Sequence, residues 1–416
     1  MTDTPEKPAR KKLTLGVPAE TPDRKRKPAR WSPLQRDRAK PAAVPEAPSQ
    51  PAARNKPPKP PAPAKPRPAH ADFRQDTAPR RRGTPPAPVR LKFFAPCPRG
   101  LEHELGKELS ALGAEDVVPG SAGVGFAGDI GLAWKVNLWS RLAIRVLQQV
   151  AEGNYRDEED LYRVALKQAW PDWFALDRTL AVRTVAHASP LKSLNFATLR
   201  IKDGVCDRFR QDLGERPSVE TRTPDVPILL YLDRDRFTLY LDLSGEPLNR
   251  RGYRVDPAPA PLNENLAAGL LRLSGWTPET PLLDPMMGGG TLLLEAAMMA
   301  LNQAPGLKRH FAFEHLISFD KVAWTRLRKD AEAARLEPRP LPIYGCDIDP
   351  RMIRAAGLNL KAAGLLDCVT LREGDVMEIP APAEHGLIVS NPPYGVRLEA
   401  DASFYKSLGD ALKRHF

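Results

Sequence analysis

Apolar residues recur along this chain in two rhythms, one of period two and one close to 3.6. From Leu91 to Ala95 a short apolar run predicts a strand, and Leu101, Leu105, Leu109 and Leu112 then follow at helical spacing until Gly113 stops them. Val117-Val118 and Val124-Gly125-Phe126 predict two short strands around Pro119-Gly120. A helix from Asp129 to Trp139 and a strand from Leu142 to Val150 complete a βαββαβ order, the split βαβ or ferredoxin-like arrangement. Trp134, Leu138 and Trp139 read as core.

A second small unit occupies residues 151–245. Leu161, Val164 and Ala165 predict a helix, and the stretch from Thr179 to Ala186 a strand. Phe196, Leu199, Cys206, Phe209 and Leu213 mark the apolar face expected of a longer helix. Ile228 to Leu232 is a strand, and Phe237, Leu239, Leu241 and Leu243 alternate with Thr238, Tyr240 and Asp242 as in a half-buried one. After the Pro-rich junction around Asp256 to Pro261, the stretch from Leu262 to Ala268 opens a helix. Strands at Leu282-Leu283, Ile343 to Gly345, Val369 to Leu371 and Leu387 to Val389 then alternate with helices. That order predicts a doubly wound parallel sheet. Residues 305–339 form an insertion whose helix carries Val322, Leu327 and Ala331.

Composition changes the picture mainly at the amino end. Residues 1–90 hold 21 of the 45 prolines and 22 Lys and Arg against 8 Asp and Glu, a surplus of +14. The rest of the chain carries −3, so the formal +11 belongs to the tail. A segment so poor in large apolar groups cannot offset the entropy of ordering, and a disordered, basic, Pro-rich tail is expected. It reads either as a solubilising arm or as a salt-sensitive polyanion tether. Four scattered cysteines, Cys97, Cys206, Cys346 and Cys368, never form Cys-x-x-Cys, which argues against a disulfide scaffold or zinc ribbon and fits a reducing compartment. His103, His187, His310, His315 and His385 show no ligand spacing, so no metal is expected. With no apolar run of spanning length and no secretory signal, a cytoplasmic protein without membrane contact is expected.

The candidate chemistry lies in two short stretches. Asp284-Pro285-Met286-Met287-Gly288-Gly289-Gly290-Thr291 joins a strand to a helix, and glycine there lets backbone approach a ligand. Such loops sit at the carboxyl edge of a parallel sheet, where cofactors bind. Asp347 and Asp349 end the next strand, placed to take the two ribose hydroxyls of an adenosine; Asp347 is favoured, because Asp349 before Pro350 has the form of a helix cap. Asp375 follows the third strand, placed to accept the adenine amino hydrogen. The loop departs from Gly-x-Gly-x-x-Gly, which disfavours a nicotinamide enzyme. Ser390-Asn391-Pro392-Pro393-Tyr394 follows the fourth strand. The Asn391 side-chain oxygen and the Pro392 carbonyl can each accept one hydrogen of an exocyclic amine, freeing its lone pair, while Tyr394 stacks on the base. Catalysis of this kind is positioning and electrostatics; the alternative is an ordinary Pro-Pro turn.

At these residues the chain resembles the THUMP-domain class I S-adenosylmethionine-dependent RNA methyltransferases, and within them the branch that methylates guanine N2 in large-subunit (23S) ribosomal RNA. Asp284 to Thr291 matches the family's cofactor motif with Met287 and Gly289 as departures. Tyr344-Gly345-Cys346-Asp347 matches its ribose-binding strand end, and Asn391-Pro392-Pro393-Tyr394 its amino-methylation motif. Arg251-Gly252-Tyr253-Arg254, the Glu264 pattern and Arg200-Ile201-Lys202-Asp203 match as well.

The resemblance implies an α/β chain with a Rossmann-like class I methyltransferase domain at 246–416. A ferredoxin-like domain at 91–150 and a THUMP domain at 151–245 would precede it. It further implies S-adenosyl-L-methionine held by Asp284, Met286, Gly288, Gly290, Thr291, Asp347, Asp375 and Asn391, with Asn391, Pro392 and Tyr394 catalytic. The implied partner is RNA, 23S rRNA or a large-subunit precursor. Lys192, Arg200, Lys202, Arg250, Arg251 and Arg254 are the candidate RNA contacts, with a solvated face or a domain-docking linker as the alternatives for these charges. The family's sheet has seven strands where four are found before Phe416, so the expectation is a C-terminally truncated domain that folds poorly or is inactive alone. Adenine N6 or glutamine-amide methylation, and a noncatalytic RNA-binding assembly factor, stand as alternatives.

Overall fold

The computed structural model describes residues 90–256, 262–393 and 402–416; the expectations for the tail before residue 90 and for Tyr394 fall outside them. The first half follows the expected order: β1 (Leu91–Pro96), α1 (Glu102–Leu112), β2 (Glu115–Gly120), β3 (Gly123–Gly128), α2 (Ile130–Trp139) and β4 (Leu147–Asn154). β4 begins at Leu147, later than the apolar run from Leu142 suggests. The buried Glu108 of α1 is the reason. Its Oε1 accepts from the Ser140 hydroxyl and from the main-chain N–H of Arg141 at 3.0 Å and Leu142 at 3.4 Å, so the chain there is bound as a loop.

The second unit comprises α3 (Glu158–Lys167), β5 (Leu180–His187), α4 (Leu194–Leu213), β6 (Val226–Asp233) and β7 (Arg236–Asp242). It continues the sheet of the first. β4 pairs antiparallel with both β1 and β7, giving one seven-stranded sheet in the order β2-β3-β1-β4-β7-β6-β5. The face of α4 corrects the sequence reading. Ala197, Ile201, Gly204, Val205, Cys206 and Phe209 are buried, whereas Phe196, Leu199 and Leu213 are exposed. Close helix packing selects the small residues: a Cβ on Gly204 would come within 2.7 Å of the Ala165 Cβ on α3.

The second half holds α5 (Glu264–Leu273), β8 (Leu282–Asp284), α6 (Thr291–Ala300), α7 (Lys321–Ala333), β9 (Ile343–Asp347), α8 (Pro350–Ala363), β10 (Thr370–Glu373), β11 (Leu387–Ile388) and α9 (Ala402–His415). Its four strands are parallel, in the order β10-β9-β8-β11. The order therefore reverses between β8 and β11, and cofactors bind at such switch points. α6 is apolar nearly all round and is buried nearly all round, as that composition requires.

The insertion after α6 packs on the other half. Gly306 N donates to the Leu138 carbonyl at 2.9 Å, and Phe313 N to the Leu243 carbonyl at 3.1 Å. Phe313 stacks on Trp134 with ring centroids 5.7 Å apart and meets Trp324 edge-on at 5.0 Å. Trp324 and Ala331 are the buried residues of α7, the second as expected, whereas Val322, expected on its apolar face, is 80% exposed. Among the described residues no helix is long and apolar enough to cross a membrane.

Candidate active site

β8 delivers Asp284 to the carboxyl edge of the parallel sheet, where it is 2% exposed. The chain turns sharply after it. Gly288 and Gly290 take φ of +53° and +79°, a region open to glycine at no steric cost. A Cβ on Gly288 would meet nothing within 4 Å, so space lies open in front of this backbone; a Cβ on Gly290 would sit 3.0 Å from that of Ala356 on α8. Gly289 is held from behind, its carbonyl accepting from Asn359 Nδ2 at 3.1 Å. The Asn359 Oδ1 in turn accepts from Val255 N at 2.9 Å and Asp256 N at 3.2 Å, tying the interdomain junction to the glycine loop.

Parallel pairing sets β9 beside β8 and brings Asp347 to the same loop. Its Oδ2 accepts from Gly288 N at 2.9 Å and its Oδ1 from Asp349 N at 3.0 Å. Asp349 caps α8 through Arg351 N at 2.9 Å and pairs with the Arg351 guanidinium, which holds its carboxyl below the usual range. The geometry thus separates the two aspartates as expected, one facing the loop and one spent on the helix. Asp375, after β10, is half-buried and accepts from Met377 N at 2.9 Å. Met286 is half-buried and Thr291 buried at the head of α6. Burial pushes the Cys346 thiol up to about 12, so it is no nucleophile.

β11 adds the last component on the other flank of β8, with Val389 N donating to the Leu283 carbonyl at 3.1 Å. The Ser390 hydroxyl donates to Asp284 Oδ1 at 2.7 Å. This bond joins the two motifs directly and leaves Asn391 and Pro392, both half-buried, beside the glycine loop. The Tyr405 hydroxyl on α9 donates to the Pro393 carbonyl at 2.7 Å and steadies the turn. Burial raises the Asp284 carboxyl to about 7 against the bonds from Ser390 and Met286 N, and the nearby Asp347 adds to the rise. In the sequence Ser390 stands in its motif without a role, and Asn359 is passed over. The one sequence signal for Asn359 is its place as a polar residue beside Leu360 on the apolar side of a helix, and for Ser390 only that it precedes Asn391.

The six candidate RNA contacts divide. Lys192 and Arg250 are exposed, Arg250 with Glu246 at 3.0 Å. Arg200 lies 4.0 Å over the Tyr162 ring and pairs with Glu159, and Lys202 pairs with Asp203 at 2.6 Å. Arg254 binds Glu264 at 2.9 Å and the Leu262 carbonyl at 3.1 Å. Arg251 corrects the expectation of a phosphate contact: it is 3% exposed, pairs with Glu295 of its own half and donates to the Arg141 carbonyl of the other at 2.6 Å. Among the described residues, no three His, Cys, Asp or Glu side chains come together as a metal site.

Comparison with known proteins matches residues 92–147 to the RlmL ferredoxin-like domain, 155–242 to the THUMP domain and 251–416 to the RMKL-like methyltransferase domain. A ribosomal RNA large subunit methyltransferase K/L of Syntrophotalea carbinolica is 42% identical over 342 residues, 78% of this chain and 48% of its own. A putative RNA methyltransferase of Synechocystis is 39% identical over 328 residues, covering 78% and 85%. The crystal structure of a putative methyltransferase complexed with SAH superposes with a TM-score of 0.72 at 31% identity, covering 78% of this chain and 87% of that one. The chain spans about half the length of the large-subunit methyltransferases it matches.

Proposed function

The chain belongs to the family of THUMP-bearing, RMKL-like methyltransferases, and we propose that it methylates the exocyclic N2 amine of a guanine in RNA, with S-adenosylmethionine as donor and large-subunit ribosomal RNA as acceptor. The observation that carries this reading is the 2.7 Å bond from Ser390 to Asp284, which sets the Asn391 turn beside the glycine loop at the switch point. When bound, S-adenosylmethionine supplies an electrophilic methyl group. The residues present fit it. Gly288 offers open backbone, Asp347 keeps a lone pair on each oxygen for ribose hydroxyls, and the half-buried Asp375 is the acceptor proposed for the adenine amino group.

The acceptor is handled by Asn391 and Pro392. Two carbonyl-type oxygens accepting the two amine hydrogens favour a pyramidal nitrogen, whose lone pair then points at the methyl carbon. The guanine has to leave its stack to reach them, which suits a base presented by a separate RNA-binding half. The names of the large-subunit relatives support the acceptor RNA.

Two measurements test the reading. Nucleoside mass spectrometry of large-subunit RNA from a strain lacking the gene should show one N2-methylguanosine lost relative to its parent. Unchanged methylguanosine, with methyladenine altered in nucleic acid or methylglutamine altered in the proteins of the same strain, would keep the transferase and discard guanine. Asn391→Ala should lower turnover by about 10²–10³-fold, the loss seen when one oriented transition-state partner is removed, well beyond any loss of cofactor affinity. A variant with full cellular function would leave a noncatalytic RNA-binding factor as the better account.

A further inference from the structure

The arginine–glutamate group between the two halves takes no part in holding donor or base. Glu295 stands on α6 one turn beyond Thr291 and is 0% exposed. Its Oε1 accepts from the Tyr253 hydroxyl at 3.1 Å and from Arg251 Nε at 3.3 Å, and its Oε2 lies 3.9 Å from Arg141 Nη1. Arg141 belongs to the other half, on the loop between α2 and β4, and is also buried. Its Nη2 donates to the carbonyls of Met298 at 3.2 Å and Gln303 at 2.8 Å, and its own carbonyl accepts from Arg251 Nη2 at 2.6 Å. Arg141 therefore grips α6 from its middle to just past its end. It is held there by Glu108, whose Oε2 pairs with Arg272 of α5 at 2.6 Å.

Such a group is a poor way to gain stability. Apolar side chains of the same volume hold an interface at least as well, because buried ions lose their hydration. What directional bonds add is register. The aromatic contacts of Trp134 with Phe313 tolerate sliding, whereas a guanidinium seated on two carbonyls does not.

We propose that Arg141, seated on the Met298 and Gln303 carbonyls with its charge beside Glu295, is a positioning residue, which fixes the register of the seven-stranded half against α6. The glycine loop heads that helix, so Arg141 sets the distance between a base delivered by that half and the loop. The substrate in this statement rests on the RNA methyl-transfer reading; the geometry does not.

The test is Arg141→Met in the full chain, which removes the grip but leaves Glu295 paired with Arg251 and Tyr253 inside the catalytic half. Arg141→Lys keeps the charge and loses the two-carbonyl fork, and it decides the matter if the methionine variant does not fold. Spin labels go on Leu199→Cys of α4 and Leu358→Cys of α8, both exposed, while the four native cysteines are buried. Pulsed electron resonance should give a narrow distance distribution with Arg141 and a broadened one in both variants. Affinity for S-adenosylhomocysteine and the KM for RNA should stay unchanged while kcat falls by about 10²-fold, as for a small misplacement of reacting groups. Unchanged distributions would overturn the proposal, and so would a cofactor affinity that falls in step with kcat. If the parent methylates no RNA, the distances alone decide whether Arg141 sets the register.

Discussion

Replacing Asp284 with Asn isolates the electrostatics of the site. The native carboxyl keeps its proton up to about 7, against an ordinary value of 3.8, chiefly because it is buried. Between those two pH values the folded state binds more protons than the unfolded chain, so stability falls as pH rises through the window and levels off above it. Over the whole window the loss amounts to about 4 kcal/mol, of which about 3 kcal/mol falls between pH 5 and pH 8. Asn has nearly the same shape, still accepts from Ser390, and carries no charge at any pH. The variant should therefore gain on the parent by about 3 kcal/mol across that range. Urea unfolding of both proteins at half-unit steps of pH measures the difference. The expected curve rises toward neutrality and then flattens. A difference that does not change with pH would refute the reasoning, because it would place Asp284 at its ordinary value in the fold.

Other outcomes follow from the packing. Gly345→Ala should destabilise by about 1–3 kcal/mol, the usual cost of overpacking, since its Cβ would fall 2.3 Å from Leu293 Cδ1 and 2.5 Å from Met287 Sδ; a thermal melt at parental temperature would contradict it. Asp347→Ala should weaken cofactor binding by about 10–100-fold, as expected from losing charge-assisted bonds of ~1.5–3 kcal/mol. Asp349→Ala should cost only the α8 cap and leave that affinity intact. Calorimetric titration of both separates the two aspartates.

The reach of the sequence differs from place to place. Asp284, Gly288, Asp347 and Asn391 were legible because a strand–loop–helix order fixes which residues end at a parallel sheet's edge. Ser390 was not, since its partner lies 106 residues away and only the β8–β11 pairing brings them together. Helical spacing found α4 and its buried Cys206 and Phe209, but put Phe196, Leu199 and Leu213 on the same face, where they are exposed. Periodicity weighs Phe196 and Leu199 above Ala197 and Gly204, whereas close contact with α3 wants the small residues. Arg251 looked like a phosphate contact because a charge in sequence carries no sign of burial, and its counterion Glu295 sits in an apolar helix where nothing announces a pair. In the Pro305–Arg339 insertion the sequence shows only a helix of its own, with no sign of where it packs; Phe313 and Phe319 lie against Trp134 in the other half.

The shared sheet also bears on how the chain is made. β4 lies between β1 and β7, so one of its edges is satisfied early and the other, at Leu147, waits for Asp242 to emerge. During synthesis the first strands and helices can assemble, but they keep a hydrogen-bonding edge open until the whole second unit has been translated. An open strand edge invites pairing with other chains. The vulnerable interval is therefore set by translation speed across residues 155–242. Slowing synthesis there should raise aggregation of nascent chains, even though the finished protein is unaltered.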